Sequence, residues 1–418
     1  MSPLVWLSVA ILVLTLALML IRPHGITEAW FASGGALLML LLGIVRLSDI
    51  GAVIVETSDV LLFLLGMVLL TDLADGAGVF DWLAEVSSKL AFGSGLLLFL
   101  NVFVLGALVT TFLSLDVTVL VLTPIVYDLA GRRKVDAVPY LFACTFVANT
   151  ASLVLPISNL TNLLLFNQLQ LRFIDFVQVM WLPNLAAVAV NFAIFVWLFR
   201  CRIPRRMKVA STGMPPVDWW FGAASIVLTA TLVGLLWLGL AGLPLSWAAL
   251  AGAAVLLGIG LSSGRTRAAP VVRRVPWSLF VFIVGMFVVV RGFERYWLAN
   301  LTSTTVPGGL LPALLVSVGG TTIGSNIVNN VPMTVLAIAA LQHFTGETQR
   351  AMTYGAVIGT DIGPILTTYG SVATMLWLAL LRKRGVDIST GQYMKIGAIT
   401  LPPVLLAATV TLWLVLRF

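Results

Sequence analysis

The chain is a succession of long apolar stretches joined by short polar ones, a spacing that few folds other than a polytopic membrane protein can satisfy. Apolar segments lie near 4–21, 29–45, 58–72, 138–168, 178–199, 218–240, 246–261, 276–291, 350–381 and 396–416. Most of them approach the ~20 residues that a helix needs to cross a hydrocarbon layer about 30 Å thick. Two further regions, about 94–130 and 306–342, carry polar residues in their middle. Of 418 residues 60% are hydrophobic and only 10% charged, too little polar surface to cover a soluble globule of this size. Backbone polar groups must be satisfied internally in lipid, so the spans are helices and the fold class is all-α. The first run, Leu4 to Ile21, lacks a basic flank and a small-residue cleavage site and reads as a retained span.

A formal charge of +7 would suit a nucleic-acid binder, but the basic residues sit in short clusters between apolar runs, which is the pattern of cytoplasmic loops. The two cysteines, Cys144 and Cys201, define neither a disulfide framework nor a multi-thiolate metal site. Motifs for nucleotide phosphates, HExxH zinc sites and Gly-x-Ser-x-Gly nucleophiles are missing, so no cofactor is implied.

An internal repeat organises the chain. Leu65-Gly66-Met67 recurs as Val284-Gly285-Met286, Asp81-Trp82-Leu83-Ala84 as Tyr296-Trp297-Leu298-Ala299, and Ser158-Asn159-Leu160-Thr161-Asn162 as Gly370-Ser371-Val372-Ala373-Thr374. The offsets are about half the chain length, which predicts two copies, 1–209 and 210–418. If each interrupted region is a re-entrant hairpin, each copy has five crossings, and an odd number forces the copies into opposite orientations. The expected architecture is therefore two inverted-topology repeats with about 10 membrane crossings, plus 2 re-entrant helical hairpins (about 94–130 and 306–342) and broken helices at the midplane (about 138–168 and 350–381). With both termini outside, Arg132 to Lys134, the Arg200 to Lys208 cluster, Arg265, Arg267, Arg273, Arg274 and Arg382 to Arg384 all fall inside, as the positive-inside rule requires. Short amphipathic segments, Val79 to Leu90 and Arg295 to Leu301, precede the hairpins and are expected to lie in the interface.

Away from segment ends, Asp116 in the first hairpin and Asp361 in the second broken helix are ionisable residues at membrane depth. An Asp at a helix centre costs roughly 2.5–3.5 kcal/mol on insertion scales, so each is a candidate for proton coupling. Pro156, Gly363-Pro364 and Gly370 interrupt the two long segments. A helix break is tolerable in lipid only where protein or a watery cavity meets the freed backbone groups, the situation of a transporter's substrate site. Polar residues gather at the same places: Asn149, Ser158, Asn159 and Asn162 in one copy, and Thr367, Thr368, Ser371 and Thr374 in the other. Ser325, Asn326, Asn329 and Asn330 precede Pro332 in the second hairpin. These are the candidate substrate-binding residues; singly, such residues serve equally as glue between helices.

Ser325-Asn326-Ile327-Val328-Asn329-Asn330-Val331-Pro332, with Ile358-Gly359-Thr360-Asp361-Ile362-Gly363-Pro364 and Gly370-Ser371-Val372-Ala373-Thr374, closely resembles the arsenite/antimonite efflux carriers (ArsB type) of the ion-transporter superfamily. Leu122-Thr123-Pro124-Ile125-Val126 and Asn149-Thr150-Ala151-Ser152-Leu153 match in the first half. The chain departs from the family pattern at Leu115 (usually Asn), Asn149 (Asp), Ile365 (Lys) and Thr368 (Pro), which implies a neutralised charge pair. The resemblance implies an antiporter exporting arsenite or antimonite as neutral trihydroxides against protons from a bacterial or archaeal cytoplasmic (inner) membrane. For such a solute a cleft of Asn, Ser, Thr and bare backbone suits better than Arg or Lys. The family sometimes docks a cytoplasmic arsenite-stimulated ATPase subunit, for which the Arg200 to Lys208 loop offers a surface, although anchoring to anionic lipid also suits that loop. Two competing readings are a sodium/proton or carboxylate transporter of the same superfamily and an intramembrane aspartyl protease pairing Asp128 or Asp116 with Asp361.

Overall fold

The computed structural model describes residues 3–21, 26–207, 214–301 and 309–418, and all regular structure among them is helical. The expected boundary at 209/210, Lys208 of the basic cluster and residues 306–308 of the second hairpin lie outside the described residues. The first copy runs α1 (Pro3–Ile21), α2 (Glu28–Leu41), α3 (Leu47–Gly76), α4 (Val79–Lys89), α5 (Gly95–Phe112), α6 (Leu115–Val117), α7 (Thr123–Arg133), α8 (Ala137–Thr150), α9 (Leu160–Gln168) and α10 (Phe173–Phe199). The second runs α11 (Trp219–Ala241), α12 (Ser246–Ser262), α13 (Ala268–Arg274), α14 (Trp277–Leu301), α15 (Leu310–Val328), α16 (Asn330–Leu341), α17 (Gly346–Asp361), α18 (Val372–Lys383) and α19 (Thr390–Arg417). Element by element the order repeats: a helix pair, a long helix, a hairpin, a broken helix and a final long helix.

The packing repeats with it. α3 lies along α12 while α14 lies along α2, each copy lending one helix to the other. The repeated Gly-Met dipeptides explain how closely: a Cβ on Gly66 would stand 2.5 Å from the Ala249 carbonyl carbon of α12, and one on Gly285 2.9 Å from that of Ala32 in α2. The same logic holds within each copy, where the side chain of Thr15 closes on Gly35 and that of Thr231 on Gly252. Without a hydrophobic driving force between helices in lipid, such close approach of small residues supplies dispersion contacts that hold a bundle together. Around this bundle large apolar side chains face outward, among them Val55, Ile226 and Leu406, each more than 60% exposed. In water that display would be costly; against acyl chains it is neutral.

Ion pairs sort the loops onto two faces. Arg274 bonds Asp72, Arg202 bonds Asp136, Arg265 bonds Asp218 and Arg384 bonds Asp128 on the basic face. On the opposite face Arg291 bonds Glu56 and Arg295 bonds Asp49. By length and composition α5 could cross the membrane alone. Instead the chain reverses at Leu113-Ser114 and returns through α6, a π-helical turn (Thr118–Leu122) and α7. Arg133, at the end of α7, pairs with Glu85 of α4, just ahead of α5, so both arms start and finish at the basic face and the hairpin is re-entrant. The amphipathic α4 clamps both arms, because Asn101 of α5 also donates to the Ser87 carbonyl oxygen at 2.9 Å. The segment Arg295 to Leu301 is not a separate element: it continues α14 without interruption, having no turn residue between Gly292 and Leu301 to end the helix.

Candidate functional site

Among the described residues four helical runs begin inside the bundle rather than at its ends, and each begins on a polar side chain. A helix start leaves backbone N–H groups unpaired, and in lipid no water is available to take them. Ser114 Oγ accepts from Val117 N at the start of α6, Asn159 Oδ1 from Thr161 N at α9, Asn329 Oδ1 from Val331 N at α16, and Ser371 Oγ from Thr374 N at α18. Asn159 and Ser371 are counterparts in the two copies. Asn159, Asn329 and Ser371, all predicted binding residues, are thus helix caps, and the fourth cap is Ser114, which adjoins Leu115-Asp116 and carries no signal of its own in the sequence.

The two breaks and the two hairpin tips interlock. Asn329 has φ 78°, a region few residues other than Gly enter, and Asn tolerates it best. Its Nδ2 donates to the Tyr369 carbonyl oxygen at 2.9 Å, while the Asn330 N–H donates to Gly370 O at 2.8 Å. Asn326 Nδ2 donates to Gly363 O at 2.7 Å, and its Oδ1 accepts from Thr367 Oγ1 at 2.8 Å. The second hairpin tip is therefore bound to both ends of the second break. In the first copy Ser158 Oγ donates to Thr111 O at 2.7 Å, and Thr111 Oγ1 donates to Ala151 O at 3.0 Å. Asn162 Nδ2 spans the first break to Ser152 O at 2.7 Å, and Asn149 Nδ2 turns back to Thr145 O of its own helix. From α10, Asn184 Oδ1 accepts from Leu153 N at 3.1 Å and Asn191 donates to Thr150 Oγ1 at 2.9 Å. Neither of these two carries a sequence signal beyond an isolated amide in an apolar run.

Asp361 is fully buried and ties the copies together. Its Oδ1 accepts from Asn159 Nδ2 at 2.8 Å and Thr161 Oγ1 at 2.7 Å, and its Oδ2 accepts from Ser152 Oγ at 2.7 Å. Ser152 and Thr161 fall outside the expected set, although both lie in stretches that the repeat and motif comparisons mark.

A cavity of about 590 Å³ opens between these elements and α2, α3 and α14. Asp116, Ser114, Asn159, Asn330 and Ser371 line it near the tips, and Glu28, Asp72, Asp75 and Arg274 line it toward the basic face. Arg274 is 62% exposed, so that end meets solvent, whereas Ile157, Leu160, Leu163 and Val331 give apolar walls. Asp116 accepts no hydrogen bond among the described residues, and Asn330 Oδ1 is a buried acceptor without a protein partner. Of the other predicted residues, Asn329 lines a separate pocket of about 60 Å³ with Tyr369. Asn149, Ser158, Asn162, Ser325, Asn326, Thr367, Thr368, Thr374 and Asp361 do not line the cavity and lie in the segments that form the two breaks and the second hairpin. Ser371 Oγ and Thr374 Oγ1 lie 2.9 Å apart, and Thr374 reaches the Tyr393 hydroxyl at 3.3 Å. Cys144 is buried in α8 and does not reach the cavity. Asp128 is held at the surface by Arg384 at 2.7 Å, remote from Asp361 by its place on the basic face.

Inverted copies, re-entrant hairpins and a polar cavity at the junction of broken helices define a membrane transporter, not an enzyme. The solved structure of the Alcanivorax borkumensis YdaH transporter, described as having an unusual topology, shares this fold with a TM-score of 0.62 at 16% identity over 99% of this chain and 98% of that one. The family model for ArsB, arsenical pump membrane protein, matches residues 7–416. Arsenical pump membrane proteins of Yersinia enterocolitica (33% identity, 96% of each chain) and Escherichia coli K12 (32%, 99% of each) are similar over nearly their full lengths. The chain belongs to the arsenical pump membrane protein family and is a multi-pass arsenical efflux transporter.

Proposed function

We propose that the protein exports trivalent arsenite and antimonite, as their neutral trihydroxides, from the cytoplasm in exchange for protons, and so confers metalloid resistance from the bacterial inner membrane. The observation that carries this reading is the composition of the cavity tip. Asp116, Asn330, Asn159, Ser114 and Ser371 offer donors and acceptors without an unpaired cation, a lining suited to a small neutral polyol and unsuited to a dicarboxylate. The halves 1–209 and 210–418 then form two copies with the site at their junction. The basic face, toward which the cavity runs, is cytoplasmic by its Arg content, so the cavity is the inward-open loading site. Asn159, Asn330 and Ser371 bind the solute directly. Ser158, Asn162, Asn326, Asn329 and Thr367 hold the broken backbone in place around it, and Asn149, Ser325, Thr368 and Thr374 lie in the same segments. Asp116 and Asp361, the carboxyls at membrane depth, are the candidates for proton coupling.

One proton entering across about 150 mV supplies roughly 3.5 kcal/mol, enough for a few-hundred-fold gradient of a neutral solute, so no ATP site is required in this chain. A cytoplasmic arsenite-stimulated ATPase subunit would meet the protein at the Arg200 to Lys208 loop. The test is metalloid accumulation in sensitive cells with and without the gene, repeated with the proton gradient collapsed. Lower accumulation that reverts on collapse supports the exchange; a sodium requirement in its place would favour a sodium-coupled carrier.

A further inference from the structure

Resting on the proposed arsenite–proton exchange, we infer that the two membrane carboxyls do different work. Asp116 is the group at which proton and trihydroxide exclude one another, and Asp361 is a positioning residue that locks α17 onto the start of α9.

The surroundings of Asp361 are complete. Asn159 Oδ1 is occupied by the Thr161 N–H, which fixes the amide so that Nδ2 must donate to Asp361. Thr161 and Ser152 supply the remaining hydroxyl donors, and the carboxyl lies beside the N-terminal end of the nine-residue α9, where negative charge is favoured. It has no surface on the cavity, and three partners from the other copy would have to let go for a proton or solute to reach it. Asp116 is the reverse case. It lies at the hairpin tip, lines the cavity and accepts no hydrogen bond among the described residues. After one further residue, Val117, a π-helical turn begins, an irregularity often found at functional sites.

An ionised carboxylate only accepts hydrogen bonds, and a trihydroxide donates them, so in the inward-open state Asp116 and Asn330 Oδ1 are acceptors suited to its O–H groups. When Asp116 takes a proton on the outer side it loses acceptor capacity and the solute leaves. When it returns that proton to cytoplasmic water the site is ready again. No bond other than O–H forms or breaks. The other ionisable groups on the cavity are Glu28 from α2, Asp72 and Asp75 from α3, and Arg274 from α13, the last bonded to Asp72. Of the helices packed on the tip, α5 carries no ionisable residue, α8 carries Tyr140 and Cys144, and α18 carries Arg382 and Lys383 in its last turn.

The test uses everted vesicles holding the full chain, with arsenite as the probe and apparent affinity read against pH. If one carboxyl is shared by proton and solute, affinity on the acid limb falls about tenfold per pH unit. We expect that slope in the parent and in Asp75→Asn, and its loss in Asp116→Asn. Asp361→Asn should keep it, because the oxygen of the substituted amide can still accept from Asn159 and Thr161, and its nitrogen can donate to Ser152 Oγ, which retains its 3.1 Å bond to Asn149 O. Asp361→Ala should lose flux and melting temperature together while Asp361→Asn restores both in part. In parallel, carbodiimide labelling of the purified parent should modify Asp116, be prevented by arsenite, and spare Asp361. A slope retained by Asp116→Asn, a slope abolished by Asp361→Asn, or arsenite-protected labelling at Asp361 would overturn the assignment. Vesicles without any arsenite transport would instead overturn the proposed function, and labelling would still report which carboxyl the cavity serves.

Discussion

Replacing Asn326 by Ala tests whether the second hairpin and the second break form one rigid body. Asn326 makes two bonds that leave its own helix, donating to Gly363 O at 2.7 Å and accepting from Thr367 Oγ1 at 2.8 Å. Its third bond, to Thr322 O at 2.9 Å, falls within α15 and adds little between elements. Gly363 and Thr367 are both buried, so water cannot readily replace the lost partner. Interhelical hydrogen bonds in membrane proteins are worth about 0.6 kcal/mol on average and up to about 1.7. Two of them predict a loss of roughly 1–3 kcal/mol for Asn326→Ala, read by reversible unfolding in mixed micelles. Thr367→Val removes one of the two, and the cycle of single and double variants should show a coupling energy of about 0.6 kcal/mol. Metalloid efflux should fall in step with stability, because the tip carrying Asn330 is held by the same loop through Gly370 O. An Asn326→Ala protein that unfolds with the parent, or a cycle with no coupling, would refute the view that this tip and break move as a unit.

Three further outcomes follow from the geometry. Arg133→Met takes one partner from the buried Glu85, which keeps Arg132 at 3.8 Å, and should cost at most about 3–5 kcal/mol; Glu85→Met/Arg133→Met together should melt above either single variant, and equal losses would contradict a desolvated pair. Gly285→Val drives a side chain into the Ala32 backbone, so melting should show a loss of about 1–3 kcal/mol from overpacking, with Gly66→Val against Ala249 matching it. Asn330→Leu removes an acceptor from the cavity and should weaken apparent arsenite affinity roughly 2- to 10-fold in vesicles while melting is little changed, since its backbone bond to Gly370 O survives.

The apolar runs and the half-length repeat were sufficient to read the helical class, the inverted copies and the positions of both breaks, because a bilayer leaves the backbone no alternative to internal pairing. Length was a poorer guide. α5 is long enough to cross; the repeat marks it as one arm of a hairpin, and the reversal at Leu113-Ser114 with the Arg133–Glu85 contact across the hairpin's mouth shows it to be re-entrant. The short amphipathic segment before the second hairpin merged into α14, since amphipathic period alone does not say where a helix stops. Polar residues near the breaks were legible as a group but not by role. An Asn that caps a helix, one that braces a carbonyl and one that faces a cavity look alike in a sequence, and Asn159, Asn326 and Asn330 are respectively such cases.

What the sequence determined by itself is therefore the set of elements and the places where the chain must leave helical geometry, both dictated by the cost of unpaired polar groups in lipid. What the tertiary structure alone decided is which of those polar groups are already satisfied. Asp361 and Asp116 stand at equivalent cost in the linear chain; folding surrounds the first with donors from the opposite copy and leaves the second on an open cavity. Hydrogen-bond partners separated by some 200 residues are fixed by how the helices pack, and no local pattern encodes them.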